Sequence, residues 1–352
     1  MLSSRLNNLV PYVPGEQPQD KKYIKLNTNE NPYPPSPLID RFLKEISRDR
    51  LRLYPDPNFV SLREKIAERH GLNPSQIFVG NGSDEVLAFA FYAFFDTMNG
   101  PLLFPEFTYS FYPVYGDLFG IRYKKVPLTP DFNIDLSLML QNGPSSGVIF
   151  PNPNAPTGIL LSIEQIKGFL NGYRKDRVVV IDEAYIDFGG ESAVSLIRNH
   201  ENILIVRTLS KSLSLAGIRI GFAMGNETLI QGLFRVKDSF NSYPANTLSQ
   251  EIAKIAVSDE PYFRQVVEKI ILTRDRLSTE LKQVGWEVLP SSANFVFTRK
   301  KGVHGKEIYL RLKERGILVR HFNIPGIDEF VRITVGTEED TTTLLKEIDA
   351  CF

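Results

Sequence analysis

Residues Arg207 to Phe222 read R-T-L-S-K-S-L-S-L-A-G-I-R-I-G-F. They follow directly on Ile203–Val206, an apolar run of the kind that forms a strand buried on both faces. Lys211 therefore sits in a Ser-rich loop at the end of a buried strand, and Arg219 follows it. A lysine in a crowded, partly desolvated loop can lose its proton and attack a carbonyl. Ser210 and Arg219 beside it suit a phosphate dianion, the serine by hydrogen bond and the arginine by a charge-assisted fork. Together they ask for a small ligand with an aldehyde on one side and a phosphate on the other.

Outward from this stretch the chain alternates. Short β-rich runs stand at Ile77–Val79, Leu102–Phe104, Val148–Phe150, Val178–Ile181, Ile203–Val206 and Ile218–Ala223. Helical patterns lie between several of them, such as Glu85–Phe95 and Ser162–Tyr173. An earlier amphipathic helix is expected from Ser61, with a serine cap and a terminal glycine. Such alternation predicts an α/β fold with a mostly parallel sheet between helices, whose ligands bind at the C-terminal strand ends.

The first 40 residues, rich in Pro, Asn and Tyr, read as an extended arm. After about Tyr243 the texture changes. A helical stretch runs from Asn246 to Val284, broken near Asp259–Pro261, and strand patterns follow at Trp286–Leu289, Asn294–Thr298, Ile317–Arg320 and Phe330–Val335. With helices near Lys306–Arg315 and Glu338–Ile348 this is a smaller α+β unit. The expected organisation is an arm (1–40), a large domain (41–243) and a small C-terminal domain (244–352), with the site in the cleft.

Composition narrows the function. The chain has 352 residues, 42% of them hydrophobic, and a formal net charge of +0, which argues against nucleic-acid or anionic-membrane partners. One cysteine, Cys351, excludes an internal disulfide and suits a reducing cytoplasm. Four scattered histidines and that cysteine argue against a dedicated zinc or iron site. No apolar run is long enough to span a bilayer, and the N-terminus has no signal-peptide core.

Further candidates fall at other strand ends. Gly80-Asn81-Gly82-Ser83-Asp84-Glu85 joins a strand to a helix; its glycines let the backbone approach an anion, and Ser83 and Asp84 are also good helix caps. Tyr109 can stack on a flat cofactor, although neighbouring aromatics make core packing a competitor. Asn154, in P-N-P-N-A-P-T-G, could donate to a phenolate oxygen. Asp182 ends the run Val178–Ile181, where a carboxylate needs a partner. Paired with a pyridine nitrogen it would keep the ring protonated as an electron sink, with Tyr185 on the ring oxygen. The ligand that fits these groups and Lys211 is pyridoxal 5'-phosphate.

In combination N-A-P-T-G, D-E-A-Y and S-K-S-L-S-L-A-G-I-R-I-G-F resemble the aspartate-aminotransferase-type pyridoxal phosphate enzymes, over nearly the whole chain from Tyr12 to about Val335. Within them, L-V-P-Y, K-L-N-T-N-E-N-P, Y-P-D-P, R-T-L-S-K and V-R-I-T-V-G are similar to the histidinol-phosphate aminotransferase subgroup. The resemblance implies a seven-stranded, mostly parallel sheet and a homodimer. It implies amino transfer from L-histidinol phosphate to 2-oxoglutarate, giving imidazole acetol phosphate and glutamate. Lys211 would bond the cofactor and shuttle the proton, and Asp182 would pair with the ring nitrogen. Tyr109 would stack, while Tyr185 and Asn154 would reach the phenolic oxygen. Ser83, Asp84, Ser210 and Arg219 would bind the phosphate, with Tyr54 reaching that of the partner subunit. Tyr12, Arg320 and Arg332 would clamp the substrate anion. The family usually has asparagine immediately before P-T-G; Ala155 stands there, so that role passes to Asn154. Aromatic amino-acid transamination and threonine-phosphate decarboxylation remain open on the same scaffold. A non-catalytic cofactor-binding regulator is the reading of another class; it would carry an appended DNA-binding domain, for which the residues before Tyr12 leave no room.

Overall fold

The computed structural model describes residues 2–3, 6–7 and 9–352. Seven strands form the main sheet in the order Ile77–Gly80, Gly221–Gly225, Ile203–Thr208, Val178–Asp182, Gly147–Pro151, Leu102–Pro105 and Tyr123–Val126. From Ile203–Thr208 outward the neighbours pair in parallel. Gly221–Gly225 runs antiparallel to both its neighbours, because the chain doubles back after Thr208: the Leu209 N–H donates to the Ile220 carbonyl at 3.0 Å. That return strap carries Lys211 and Arg219.

Side chains alternate across the sheet, as a period of two requires. Ile203 and Ile205 enter the core on one face, Leu204 and Val206 that on the other. Both faces are therefore apolar, which is why these strands read as unbroken hydrophobic runs.

Several expected elements shift. The strand expected at Ile218–Ala223 starts at Gly221; Ala216–Ile218 is a 3-10 turn, and Arg219 takes a left-handed backbone, φ 56°. The helix expected from Ser61 begins at Val60, and the Asp56 carboxylate accepts the Val60 N–H at 2.7 Å in place of a serine cap. Gly71, φ 65°, closes that helix as expected. The helix expected from Glu85 begins at Gly82, which puts Ser83 and Asp84 inside its first turn. Their N–H groups thus belong to the donors that a helix start leaves without intrahelical partners.

The C-terminal part builds a four-stranded antiparallel sheet in the order Arg320–His321, Val331–Thr334, Phe295–Lys300, Trp286–Val288. Its own core includes Leu277, Trp286, Val296, Ile333 and Leu344. The helical stretch before it breaks at Asp259, which caps Glu260–Gln283. The strand expected at Ile317–Arg320 splits. Ile317–Leu318 pairs in parallel with Ile24–Lys25 of the arm, and Arg320–His321 joins the sheet. Among the described residues no helix is long and apolar enough to cross a membrane.

Candidate active site

All the expected site residues except Tyr54 and Asn154 line one cavity, between the C-terminal strand ends of the main sheet, the arm and the small sheet. Lys211 is delivered by the strap. Its Nζ donates to the carbonyl of Thr28 at 3.1 Å and lies 5.9 Å from the centre of the Tyr185 ring. Burial brings its pKa down from 10.5 to about 8, with Arg332 adding to the effect. The strap is fixed from below: Ser212 Oγ donates to Asp187 at 2.6 Å, and Arg207 pairs with the same carboxylate.

Asp182 ends its strand with the carboxylate buried. It accepts from the Tyr112 hydroxyl at 3.1 Å and from the Ala184 N–H at 3.2 Å. Burial raises its pKa from 3.8 to about 6, against those two bonds. The next residue but two, Tyr185, packs edge-on against Phe295, and its oxygen accepts from Asn29 Nδ2 at 2.9 Å.

The anion end is built on glycines. A methyl group on Gly82 would come within 2.6 Å of the Arg219 guanidinium, and one on Gly221 within 2.2 Å of the Ser83 nitrogen. Their lack of side chains leaves a cradle between a helix start and a guanidinium, the geometry that holds phosphate. Arg219 reaches Asp84 at 3.0 Å, and the same carboxylate accepts from Tyr109 at 2.7 Å.

Opposite lies the mouth. Arg332 donates to the carbonyl of Asn27 at 3.2 Å, and its Nε is buried with no partner. Arg320 donates to the carbonyls of Val13 and Pro14 in the arm, and Tyr12 stacks on Phe111 with ring centres 4.4 Å apart. Thr108 Oγ1 and Asn27 Oδ1 on the wall are also buried without partners. A ligand with anionic and polar atoms would satisfy them.

The whole-chain comparisons agree with this geometry. The model of the family "Aminotransferase class I and II" matches residues 21–348. The chain is 60% identical, over 100% of its length and 98% of the relative's, to a histidinol-phosphate aminotransferase of Syntrophus aciditrophicus. It is 51% identical to one from Clostridium acetobutylicum, over 99% and 98% of the two chains. The crystal structure of the Sinorhizobium meliloti histidinol-phosphate aminotransferase in complex with pyridoxal-5'-phosphate shares the fold, with a TM-score of 0.85, 24% identity, and 94% and 92% of the chains covered. The chain belongs to the class I and II aminotransferases and, within them, to the histidinol-phosphate aminotransferases.

Two expected residues of this aminotransferase stand apart from the cavity. Asn154 is buried, but its Nδ2 donates to the Phe107 carbonyl at 3.0 Å and to Thr157 Oγ1 at 3.1 Å, and Ala155 forms the cavity wall instead. Both amide hydrogens of Asn154 are thus engaged away from the cavity, one by its own loop at Thr157 and one by the loop that carries Phe107. Tyr54 is 82% exposed and stacks on Tyr243.

Other residues enter unforeseen. Asn27, Thr28 and Asn29 come from K-L-N-T-N-E-N-P, which reads as part of the arm and as a mark of the subgroup, with no role given to its side chains; its dense asparagines are the available signal. Tyr112 reads as core and is fully buried, yet its hydroxyl holds Asp182.

Proposed function

We propose that this aminotransferase moves the amino group of L-histidinol phosphate to 2-oxoglutarate, with pyridoxal 5'-phosphate held in the cavity. The observation that carries the reading is a lysine and a buried carboxylate that share one cavity without pairing with each other, beside a glycine cradle, in a chain 60% identical throughout to a histidinol-phosphate aminotransferase. The residues fit the cofactor: a buried anion for the ring nitrogen, an amine with a lowered pKa for the aldehyde, and helix N–H groups with a guanidinium for the phosphate. When bound, pyridoxal phosphate supplies an aldehyde that condenses with amines and a protonated ring that takes up the charge left at the α-carbon.

The chain's own groups do the rest. Lys211, partly neutral near pH 7, would hold the cofactor at its aldehyde carbon and, when a substrate amine takes that place, its freed Nζ would accept the α-proton and return it. Asp182 keeps a proton on the ring nitrogen, since a buried carboxylate favours a cationic partner. Tyr185 donates to the ring oxygen and Tyr109 covers the ring face. Ser83, Asp84, Ser210 and Arg219 surround the phosphate. Tyr12, Arg320 and Arg332 receive the anionic end of each substrate, because a guanidinium fork accepts phosphate and carboxylate alike.

The active unit in this reading is a cytoplasmic homodimer in which Tyr54 reaches the partner's cofactor phosphate. The exposed apolar side chains of Leu51 and Leu53 just before it and of Tyr243 stacked on it support an interface there. The arm (1–40), large domain (41–243) and small domain (244–352) each contribute to the cavity wall. The test is kinetic: with 2-oxoglutarate as acceptor, histidinol phosphate is expected to give a higher kcat/KM than phenylalanine or tyrosine. Faster turnover of the aromatic donors, or no turnover of any donor, overturns the reading.

A further inference from the structure

At most sites a tyrosine hydroxyl is free to donate in either direction; at Tyr185 the surrounding bonds leave one. The Asn29 N–H donates to Thr334 Oγ1 at 3.0 Å, so the Thr334 hydroxyl must spend its own hydrogen elsewhere, and it donates to Asn29 Oδ1 at 3.0 Å. That bond fixes the amide: oxygen toward Thr334, nitrogen toward Tyr185. Asn29 Nδ2 then donates to the Tyr185 oxygen at 2.9 Å. With that lone pair filled by a donor, the phenolic hydrogen is left to point away from Asn29.

Asn29 is held in place at some cost. It is buried, its backbone is left-handed with φ 55°, and its carbonyl accepts from Asn294 Nδ2 at 3.1 Å. Asparagine tolerates that backbone region better than most residues. Meanwhile the neighbouring loop offers the cavity no amide: Ala155 presents a methyl, and Asn154 has turned to Phe107 and Thr157.

We propose that Asn29 is a positioning residue for Tyr185: anchored by Thr334, its amide turns the Tyr185 O–H toward the ring oxygen of the cofactor, making up for the donor that Ala155 lacks. This rests on the reading of Tyr185 given under the proposed function. A donated hydrogen bond draws off negative charge from the ring oxygen, which would otherwise help hold a proton on the adjacent Lys211 nitrogen. Losing or misdirecting the donor therefore raises the pH midpoint of the visible absorbance band of the loaded enzyme.

The experiment is a double-mutant cycle read by that midpoint. Asn29→Gly removes the amide and keeps the left-handed backbone without strain. It is expected to raise the proton affinity reported by the midpoint about two- to tenfold, and to add nothing in a Tyr185→Phe background. An equal shift in both backgrounds means that Asn29 does not act through Tyr185 and overturns the proposal. So does an unmoved midpoint in Asn29→Gly when Tyr185→Phe moves it. If Tyr185→Phe alone leaves the midpoint in place, the contact between Tyr185 and the cofactor fails, and the proposal with it. Should Asn29→Gly not accumulate as folded protein, Thr334→Val carries the same test, because it removes the hydroxyl that orients the amide.

Discussion

Lys211 and Asp182 are a cation and an anion enclosed in one cavity, and no ion pair joins them. The lysine donates to the Thr28 carbonyl, while the carboxylate accepts from Tyr112 and the Ala184 backbone. Buried charges normally pair, since an uncompensated one costs several kcal/mol. Here burial depresses the lysine and raises the carboxylate, so each is poised near neutrality. A ligand carrying an electrophile at one end of a ring and a basic nitrogen at the other relieves both at once.

The rate at which the apo-enzyme takes up pyridoxal phosphate is expected to rise with pH through about 8, the value to which burial brings Lys211. The neutral amine is the nucleophile, so its fraction and the rate grow about tenfold between pH 7 and pH 9, then level off. Stopped-flow absorbance after mixing checks this. Lys211→Ala is expected to give no visible band and no turnover at any pH.

Asp182→Asn separates stability from catalysis. In the native protein Asp182 binds its proton more tightly than in the unfolded chain, with a pKa near 6 against 3.8. The buried carboxylate therefore destabilises the apo-protein fully above pH 6, and the effect fades as pH falls through that window to below 3.8. Asparagine removes the charge and keeps an acceptor for Tyr112, so apo stability at pH 7 is expected to rise by up to about 3 kcal/mol, with the gain absent near pH 3. The holoenzyme is expected to bind cofactor and lose most of its kcat, because a neutral amide cannot keep the ring nitrogen protonated. Denaturant titration and steady-state kinetics on one preparation read both.

The strand ends were legible because burial writes itself into composition. Val178–Ile181 and Ile203–Val206 are apolar at every position, so Asp182 and Lys211 mark where each strand meets the cavity. Tyr123–Val126 escaped because it is an edge strand whose lysines stay exposed and break the apolar run. The direction of Asn154 was not legible: a turn-dense motif says that the chain bends, not where an amide points. Nor was the role of Asn29, whose partners Asn294 and Thr334 are far along the chain and leave no local periodicity.

Arg332 and Arg320 are expected to serve both substrates. Arg332→Lys keeps the charge but loses the fork, and should raise KM for histidinol phosphate and 2-oxoglutarate alike, by about tenfold or more. Arg320→Ala also frees the Val13 and Pro14 carbonyls that hold the arm, so its effect should include weaker protection of the arm from proteolysis. A KM change confined to one substrate would assign the two anions to separate guanidinium groups.

Tyr54 lies outside the cavity of its own chain, exposed against Tyr243, so any effect it has on the cofactor must act across an interface. The backbone around it is tied down: the buried Lys237 donates to the Pro57 carbonyl at 3.0 Å, and Gln250 donates to that of Asp56 at 3.0 Å. In a hybrid of one Lys211→Ala chain and one chain with its lysine, only the latter can bond the cofactor. Tyr54→Phe placed on the Lys211→Ala chain removes a hydroxyl from the competent cavity, and is expected to speed cofactor loss there about fivefold. Placed on the competent chain, the same substitution alters only the partner's lysine-less cavity. Fluorescence of released cofactor distinguishes the two arrangements: a faster release in the first alone assigns Tyr54 to its partner, and the same release in both removes it from the site.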